Sequence, residues 1–208
     1  MHDQAWTVVV PLKPLDAAKS RLRGAVPGSV HARLALALAQ DTVAAVTAAE
    51  PVTSVIVVTS DPVAAAALTR LGARVVPDRP AEGLNAAVAI GAAGLAGPVA
   101  ALAADLPALR PAELTEALVE AGGRRVFVAD LAGTGTTMLA APAGAVLRPL
   151  FGVDSAARHA ASGAVPLGGA WPGLRRDVDT ADDLTAARAL GVGRYTAAVL
   201  DEVAASRR

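Results

Sequence analysis

The chain of 208 residues contains no cysteine. That excludes disulfides, zinc–thiolate sites and thiol nucleophiles, and it suits an intracellular protein. Aromatic residues are nearly as scarce, at 2%, although 53% of the chain is hydrophobic. The core must therefore be assembled from Ala, Val and Leu. A surplus of charge of one sign is also missing, since Lys plus Arg and Asp plus Glu each total 19. No overall field favours nucleic acid or an anionic membrane, so a bound anion must be held by a local arrangement of charges. A GxxxxGKS/T loop is absent, which excludes the usual P-loop mechanism. With three His and no Cys, a nucleophile–His–Asp triad has no convincing arrangement. The start of the chain carries Asp3 and no basic run, so no signal peptide is expected and the location is expected to be cytoplasmic. The stretch from Ala86 to Ala104 has no charge and approaches the length of a membrane span. It is mostly Ala and Gly, however, and Gly97-Pro98 interrupts it, so it reads as a helix, a break and a buried strand of a soluble protein.

What is present alternates between apolar runs and segments of helical period. Trp6–Leu12 reads as a buried strand, and Arg33–Ala49 carries Leu34, Leu38, Val43 and Val46 at helical spacing. Ser54–Thr59 is a β-branched strand, followed by a helix over Pro62–Leu71 that Gly72 closes. A short strand at Arg74–Val76, a helix at Leu84–Leu95, a strand at Val99–Ala103 and a helix at Pro111–Ala121 come next. Val126–Leu131 and Thr136–Ala141, four residues apart, predict a hairpin. Beyond it are a helix at Ser155–Ala161, a last strand at Leu174–Val178, and closing helices at Ala181–Leu190 and Tyr195–Ala205. The pattern predicts one α/β domain over residues 1–208. Its sheet should be mixed but mainly parallel, flanked by helices, with a small antiparallel element in the second half.

In such sheets ligands collect at the carboxyl ends of strands, so residues just after each strand carry the functional information. After the first strand lie Lys13, Lys19, Arg21 and Arg23, the densest basic cluster in the chain. It reads either as a clamp on a polyphosphate or as a solvated loop. Asp105 closes the fourth strand and is followed by Leu106-Pro107. It is placed either to ligate Mg²⁺ or to cap a turn. Asp177 and Asp179 are two apart, hence on one face of an extended segment, where paired carboxylates repel unless a cation lies between them. Asp179 alternatively caps the following helix. Together Asp105, Asp177 and Asp179 make a candidate metal site. GTGTT (Gly133–Thr137) offers backbone N–H groups and hydroxyls, and Gly152 and Ser155 precede a helix, so a carboxylate or phosphate could be cradled between them. Gly83 permits close approach of a ring, and Asn85 either reads a base edge or lies at a helix N-terminus. His159 reads as a packing or surface residue rather than a catalyst.

Taken in order, PLKPLDAAKSRL, VIVVTSD, GLNAAV, AADLP, GTGTT, FGVDSAARH and DVDT resemble the phosphoenolpyruvate/2-phospho-L-lactate guanylyltransferase family, from about Val8 to Leu190. The resemblance implies a Rossmann-like nucleotidyltransferase fold of the glycosyltransferase-A-like superfamily. It implies transfer of GMP from GTP to a small phosphorylated carboxylic acid, with release of pyrophosphate, in biosynthesis of the deazaflavin coenzyme. It assigns Asp105, Asp177 and Asp179 to Mg²⁺, and Thr137, Gly152 and Ser155 to the acceptor carboxylate. Lys13 and Lys19 fall to the triphosphate, and Gly83 and Asn85 to the base. Catalysis would rest on Lys13, Lys19 and Asp105, and a downstream transferase of the coenzyme pathway is the implied partner. Some relatives carry Glu where Asp179 stands, and the glycine-rich first loop of molybdenum-cofactor guanylyltransferases is missing here. The alternatives are a sugar-phosphate or molybdenum-cofactor nucleotidyltransferase of the same fold, or a non-catalytic GTP-binding regulatory domain.

Overall fold

The computed structural model describes residues 5–16, 28–79 and 82–206. Lys19, Arg21 and Arg23 lie outside them. The strand β1 (Trp6–Pro11) is the centre of the fold, because Val8 and Val10 point into one apolar layer and Val9 into the other. A strand buried on both faces needs an unbroken hydrophobic run, and TVVVP supplies one. The helix α1 (Gly28–Thr47) carries the chain to β2 (Val52–Val58), which pairs with β1 in parallel. The helix α2 (Pro62–Thr69) leads to β3 (Arg74–Val76), parallel to β2. The helix α3 (Leu84–Ala92) returns to β4 (Val99–Leu102), parallel to β1 on its other side.

After α4 (Pro111–Ala121) the sheet changes direction. The hairpin of β5 (Val126–Ala129) and β6 (Thr136–Ala141) forms as the sequence predicts, with a bulge at Val128/Ala129. It is β6, the later strand, that pairs antiparallel with β4. Beyond α5 (Ser155–Ala161), the short β7 (Val165–Pro166) adds to β5, completing the order β3-β2-β1-β4-β6-β5-β7. The sheet is mixed and helices cover both faces, as expected. The uncharged stretch divides into α3, a turn and β4, and no helix among the described residues is long and apolar enough to cross a membrane.

One element differs. The last strand expected at Leu174–Val178 is instead a short helix, α6 (Pro172–Arg175), followed by irregular chain. Pro172 starts the turn, and the buried carboxylate of Glu113 accepts the Gly173 N–H at 2.9 Å. The Arg175 guanidinium donates to the carbonyls of Gly169, Leu167 and Ala129. These bonds curl the segment, and β7 is the strand that pairs with β5 at this end of the sheet.

A third apolar cluster joins α1 to α7 (Ala181–Leu190) and α8 (Arg194–Ala205) through Leu34, Leu38, Val178, Leu184 and Val199. The helix α8 has no side-chain cap of its own. Asp41 of α1 supplies one from across the interface, its carboxylate accepting the N–H groups of Tyr195 at 3.0 Å and Thr196 at 2.8 Å. Two charge-assisted bonds to helix-end amides are worth about 2 kcal/mol, so Asp41→Ala should lower the melting temperature by about 4–8 °C in a chain of this size. Thermal unfolding of the variant checks this, and an unchanged midpoint would show that the cap contributes nothing.

Candidate functional site

Hydrogen bonds at the strand ends hold several of the loops singled out by sequence. Lys13 follows β1 and is exposed, between two buried anchors. On one side Leu12 donates its N–H to the Val58 carbonyl at 2.9 Å, and on the other Leu15 donates to the Asp61 carboxylate at 3.0 Å. Asp61 also caps α2 through the N–H groups of Val63 and Ala64. Burial pushes the Asp61 carboxyl up, but the N–H donors of Leu15, Ala64 and Val63 outweigh it and hold the group below its ordinary value. One carboxylate thus fixes both the loop after β1 and the loop after β2. The register Val9↔Ala101 places Lys13 and Asp105 on adjacent loops, each four residues past that pair.

Asp105 lies where β4 ends. Its carbonyl accepts the Val178 N–H at 3.1 Å, which draws the distant DVDT segment against the carboxyl end of the sheet. Val178 is fully buried while Asp177 is half-buried and Asp179 exposed, so the two carboxylates flank an anchored apolar side chain without needing a strand. Asp179 does not cap α7. Thr180 does, accepting the Asp183 N–H, while the Asp183 carboxylate accepts from the Thr180 N–H at 2.9 Å and hydroxyl at 2.7 Å. Burial pushes Asp183 up, yet these bonds and the nearby Arg176 guanidinium bring it below its ordinary value.

Among the described residues no group of three or more Asp, Glu or His forms a ready-made metal cluster. Asp105 on one side and Asp177 and Asp179 on the other belong to two acidic segments joined by a backbone bond. That donor set still fits a hard divalent ion. Magnesium keeps much of its water and typically takes one or two carboxylates together with substrate phosphates.

The residues that the family resemblance assigns to the acceptor follow from β6 onward. Ala103 donates to the Thr137 carbonyl at 2.8 Å, which aligns the start of β6 with the approach to Asp105. Thr137 itself is fully buried, with its hydroxyl directed at the Val128 carbonyl at 3.4 Å. Asp130 closes the turn before it, accepting from the N–H groups of Thr134 and Gly135. The Thr134 carbonyl accepts the Ala156 N–H, tying the turn to α5. Gly152 is exposed at φ +121, a conformation that a side chain would strain, and Ser155 is buried at the start of α5.

The Asn85 carboxamide is engaged at both ends with the backbone of Phe151. Its oxygen accepts the Phe151 N–H at 2.8 Å and its nitrogen donates to the Phe151 carbonyl at 3.1 Å. Gly83 precedes it at φ +98 as the N-cap of α3.

Sequence reasoning left His159 as a packing residue, and the structure adds a specific role. It is fully buried, and the Leu150 N–H donates to Nε2 at 2.9 Å. Nε2 therefore carries no proton, and Nδ1–H donates to the Thr136 hydroxyl at 2.9 Å. Phe151 meets the imidazole edge-on at 5.1 Å. The cavity between Thr47, Thr53, Ser54 and Arg74 lies at the amino end of β2 and β3, away from all these residues.

Together these features define an α/β domain whose strand ends bring acidic, basic and glycine-rich loops to one edge, the nucleotidyltransferase arrangement. A nucleotidyl transferase of Methanothermobacter thermautotroptrophicus has the same fold, with a TM-score of 0.62 at 22% identity over 89% of this chain and 97% of that one. So does a CMP:2-keto-3-deoxy-manno-octonic acid synthetase complexed with CTP, with a TM-score of 0.51 at 16% identity over 89% of this chain and 98% of that one. The family model described as "Guanylyl transferase CofC like" matches residues 6–160. The phosphoenolpyruvate guanylyltransferase of Salinispora arenicola is 60% identical over 198 residues, covering 93% of this chain and 92% of that protein. That of Geodermatophilus obscurus is 59% identical over 204 residues, covering 95% and 94%. The chain belongs to the CofC-like guanylyltransferase family.

Burial first, and the Arg125 and Arg158 charges second, depress the His159 pKa from 6.5 to about 4. The fold thus favours the neutral ring. Its contribution is complete above pH 6.5, is lost as pH falls from 6.5 to about 4, and changes no further below that. The gap corresponds to about 3 kcal/mol. Denaturant unfolding at stepped pH should show the parent losing about that much more stability than His159→Gln across this window. Parallel curves would contradict it.

Proposed function

We propose that the protein transfers GMP from GTP to the phosphate of phosphoenolpyruvate, with release of pyrophosphate. The observation that carries the reading is the Val178 N–H to Asp105 carbonyl bond, which sets two acidic segments together at the strand ends that also present Lys13. Family membership and the names of the close relatives supply the nucleotide and the acceptor.

The difficulty in this reaction is electrostatic, since one polyanion must approach another. A phosphate monoester has a second pKa of about 6, so the acceptor is already largely dianionic at neutral pH and needs no general base. This agrees with the buried His159 being committed on both nitrogens. An acceptor phosphate oxygen forms a bond to the α-phosphorus of GTP, and the bond from that phosphorus to the bridging oxygen of the β-phosphate breaks. Lys13 and Lys19 offset charge on the triphosphate, and the strapped position of the Lys13 loop limits its freedom to move away. Asp105, Asp177 and Asp179 would hold Mg²⁺, which supplies charge neutralisation at the phosphates when bound. We assign the acceptor carboxylate to the segments of Gly152, Ser155 and Thr137, of which Gly152 is the exposed member, and the nucleotide side to the segment of Gly83.

Asp105→Asn keeps the shape of the side chain and removes its charge. It should lower turnover by at least about a hundred-fold while leaving the melting temperature close to that of the parent. Pyrophosphate release and product mass, measured with phosphoenolpyruvate, 2-phospholactate and sugar 1-phosphates under GTP, ATP and CTP, check both role and acceptor. Near-parental turnover in the folded variant would refute the role of Asp105, and preference for a sugar phosphate would refute the acceptor.

A further inference from the structure

The loop from Arg148 to Asp154 is strained and braced at once. The two non-glycine residues with positive φ among the described residues are Arg148 at +55 and Asp154 at +53, one at each end of this loop, with Gly152 at +121 between them. Left-handed backbone at a side-chain-bearing residue persists only where its surroundings over-determine it. Three backbone polar groups of the loop show what does so. The Leu150 N–H donates to His159 of α5, while the Phe151 N–H and carbonyl bond to the two ends of the Asn85 carboxamide. These partners lie 9 and 66 residues away in sequence. His159 is in turn held by Thr136, next to Thr137, and Asn85 is the second residue of α3, directly after the turn at Gly83 and Leu84. The loop therefore joins the acceptor-side residues Gly152, Ser155 and Thr137 to the segment assigned to the nucleotide.

We propose that Asn85 and His159 are positioning residues, a two-sided brace on Leu150 and Phe151 that aims Gly152 and Ser155 at the acceptor and couples acceptor binding to occupation of the nucleotide side. This rests on the assignment of the two sides made above. Asn85 then acts on the acceptor, through Phe151, and not on the base. Ordering of α3 by bound nucleotide is passed to the acceptor loop through two hydrogen bonds, which makes the second substrate bind better after the first.

Two measurements on the full-length chain test this. In the first, Asn85→Ala, Asn85→Asp and His159→Gln are compared with the parent in steady-state rates, and GTP affinity is measured separately by calorimetry. The brace predicts that Asn85→Ala raises the phosphoenolpyruvate KM about ten-fold while the GTP Kd changes less than about two-fold. Asn85→Asp sets a carboxylate against the Phe151 carbonyl and should be no better than Ala. His159→Gln, which keeps a polar group near Nε2, should restore most of the affinity that His159→Leu loses. A weaker GTP Kd with unchanged acceptor KM would instead make Asn85 a base reader, and equal losses in both would make the brace merely structural. Either result overturns the proposal.

The second measurement needs no acceptor. Amide exchange at Leu150 and Phe151 in the parent should slow when GTP binds, and this slowing should vanish in Asn85→Ala. GTP that protects neither amide in the parent overturns the proposal. A parent inactive with every acceptor, yet showing the GTP-linked protection, would sink the acceptor assignment and leave the brace standing.

Discussion

The hydrogen bond from the Val178 N–H to the Asp105 carbonyl is the interaction on which the site depends. Asp105 follows the core strand β4, whereas Asp177 and Asp179 lie more than seventy residues later, beyond the hairpin, α5, β7 and α6. Nothing in strand pairing would bring them together, because their segment is not part of the sheet. Burial of Val178 between α1, α7 and α8 fixes the depth of the segment, and the backbone bond fixes its register against β4. The acidic residues themselves need only be carried along. Charge is in this way assembled by apolar packing and a neutral hydrogen bond, neither of which suffers from the mutual repulsion of the carboxylates.

The surrounding loops follow the same plan, in which a polar side chain from one element ties down the backbone of another. Asp61 of the β2–α2 connection holds the loop that carries Lys13. Asp130 closes the turn that leads to Thr137, Asn85 and His159 hold Phe151 and Leu150, and Glu113 holds the start of α6. A core of Ala, Val and Leu has few large side chains with which to immobilise loops by packing. Side-chain-to-backbone bonds take over that task, and each fixes both distance and direction.

Much of this was legible in the sequence. Buried strands announce themselves as unbroken apolar runs, β-branched in β1 and β2 and Ala-rich in β4, so the placement of Lys13 and Asp105 at strand ends followed directly. The start of α4 had a local signal too, in Pro111, whereas α7 is capped by Thr180 and not by its neighbour Asp179. What was not legible is long-range. The two residues of β7 carry too little pattern to register, and Leu174–Val178 reads as a strand because it has the right composition for one. Its curl is set by Glu113 and by carbonyls that Arg175 gathers from two other segments, information that no window of sequence contains. Asn85 illustrates the same point. A carboxamide after a glycine suits base recognition, but its partner is a backbone 66 residues away, and only the folded chain shows that the amide is already engaged.

The most direct measurement is anomalous diffraction from crystals grown with Mn²⁺ and a non-hydrolysable GTP analogue. The predicted result is an ion within direct ligand distance of the Asp105 carboxylate and of Asp177 or Asp179, touching the nucleotide phosphates as well. An ion bound to the nucleotide alone, or held at any other acidic group, would contradict the assignment of these loops to catalysis.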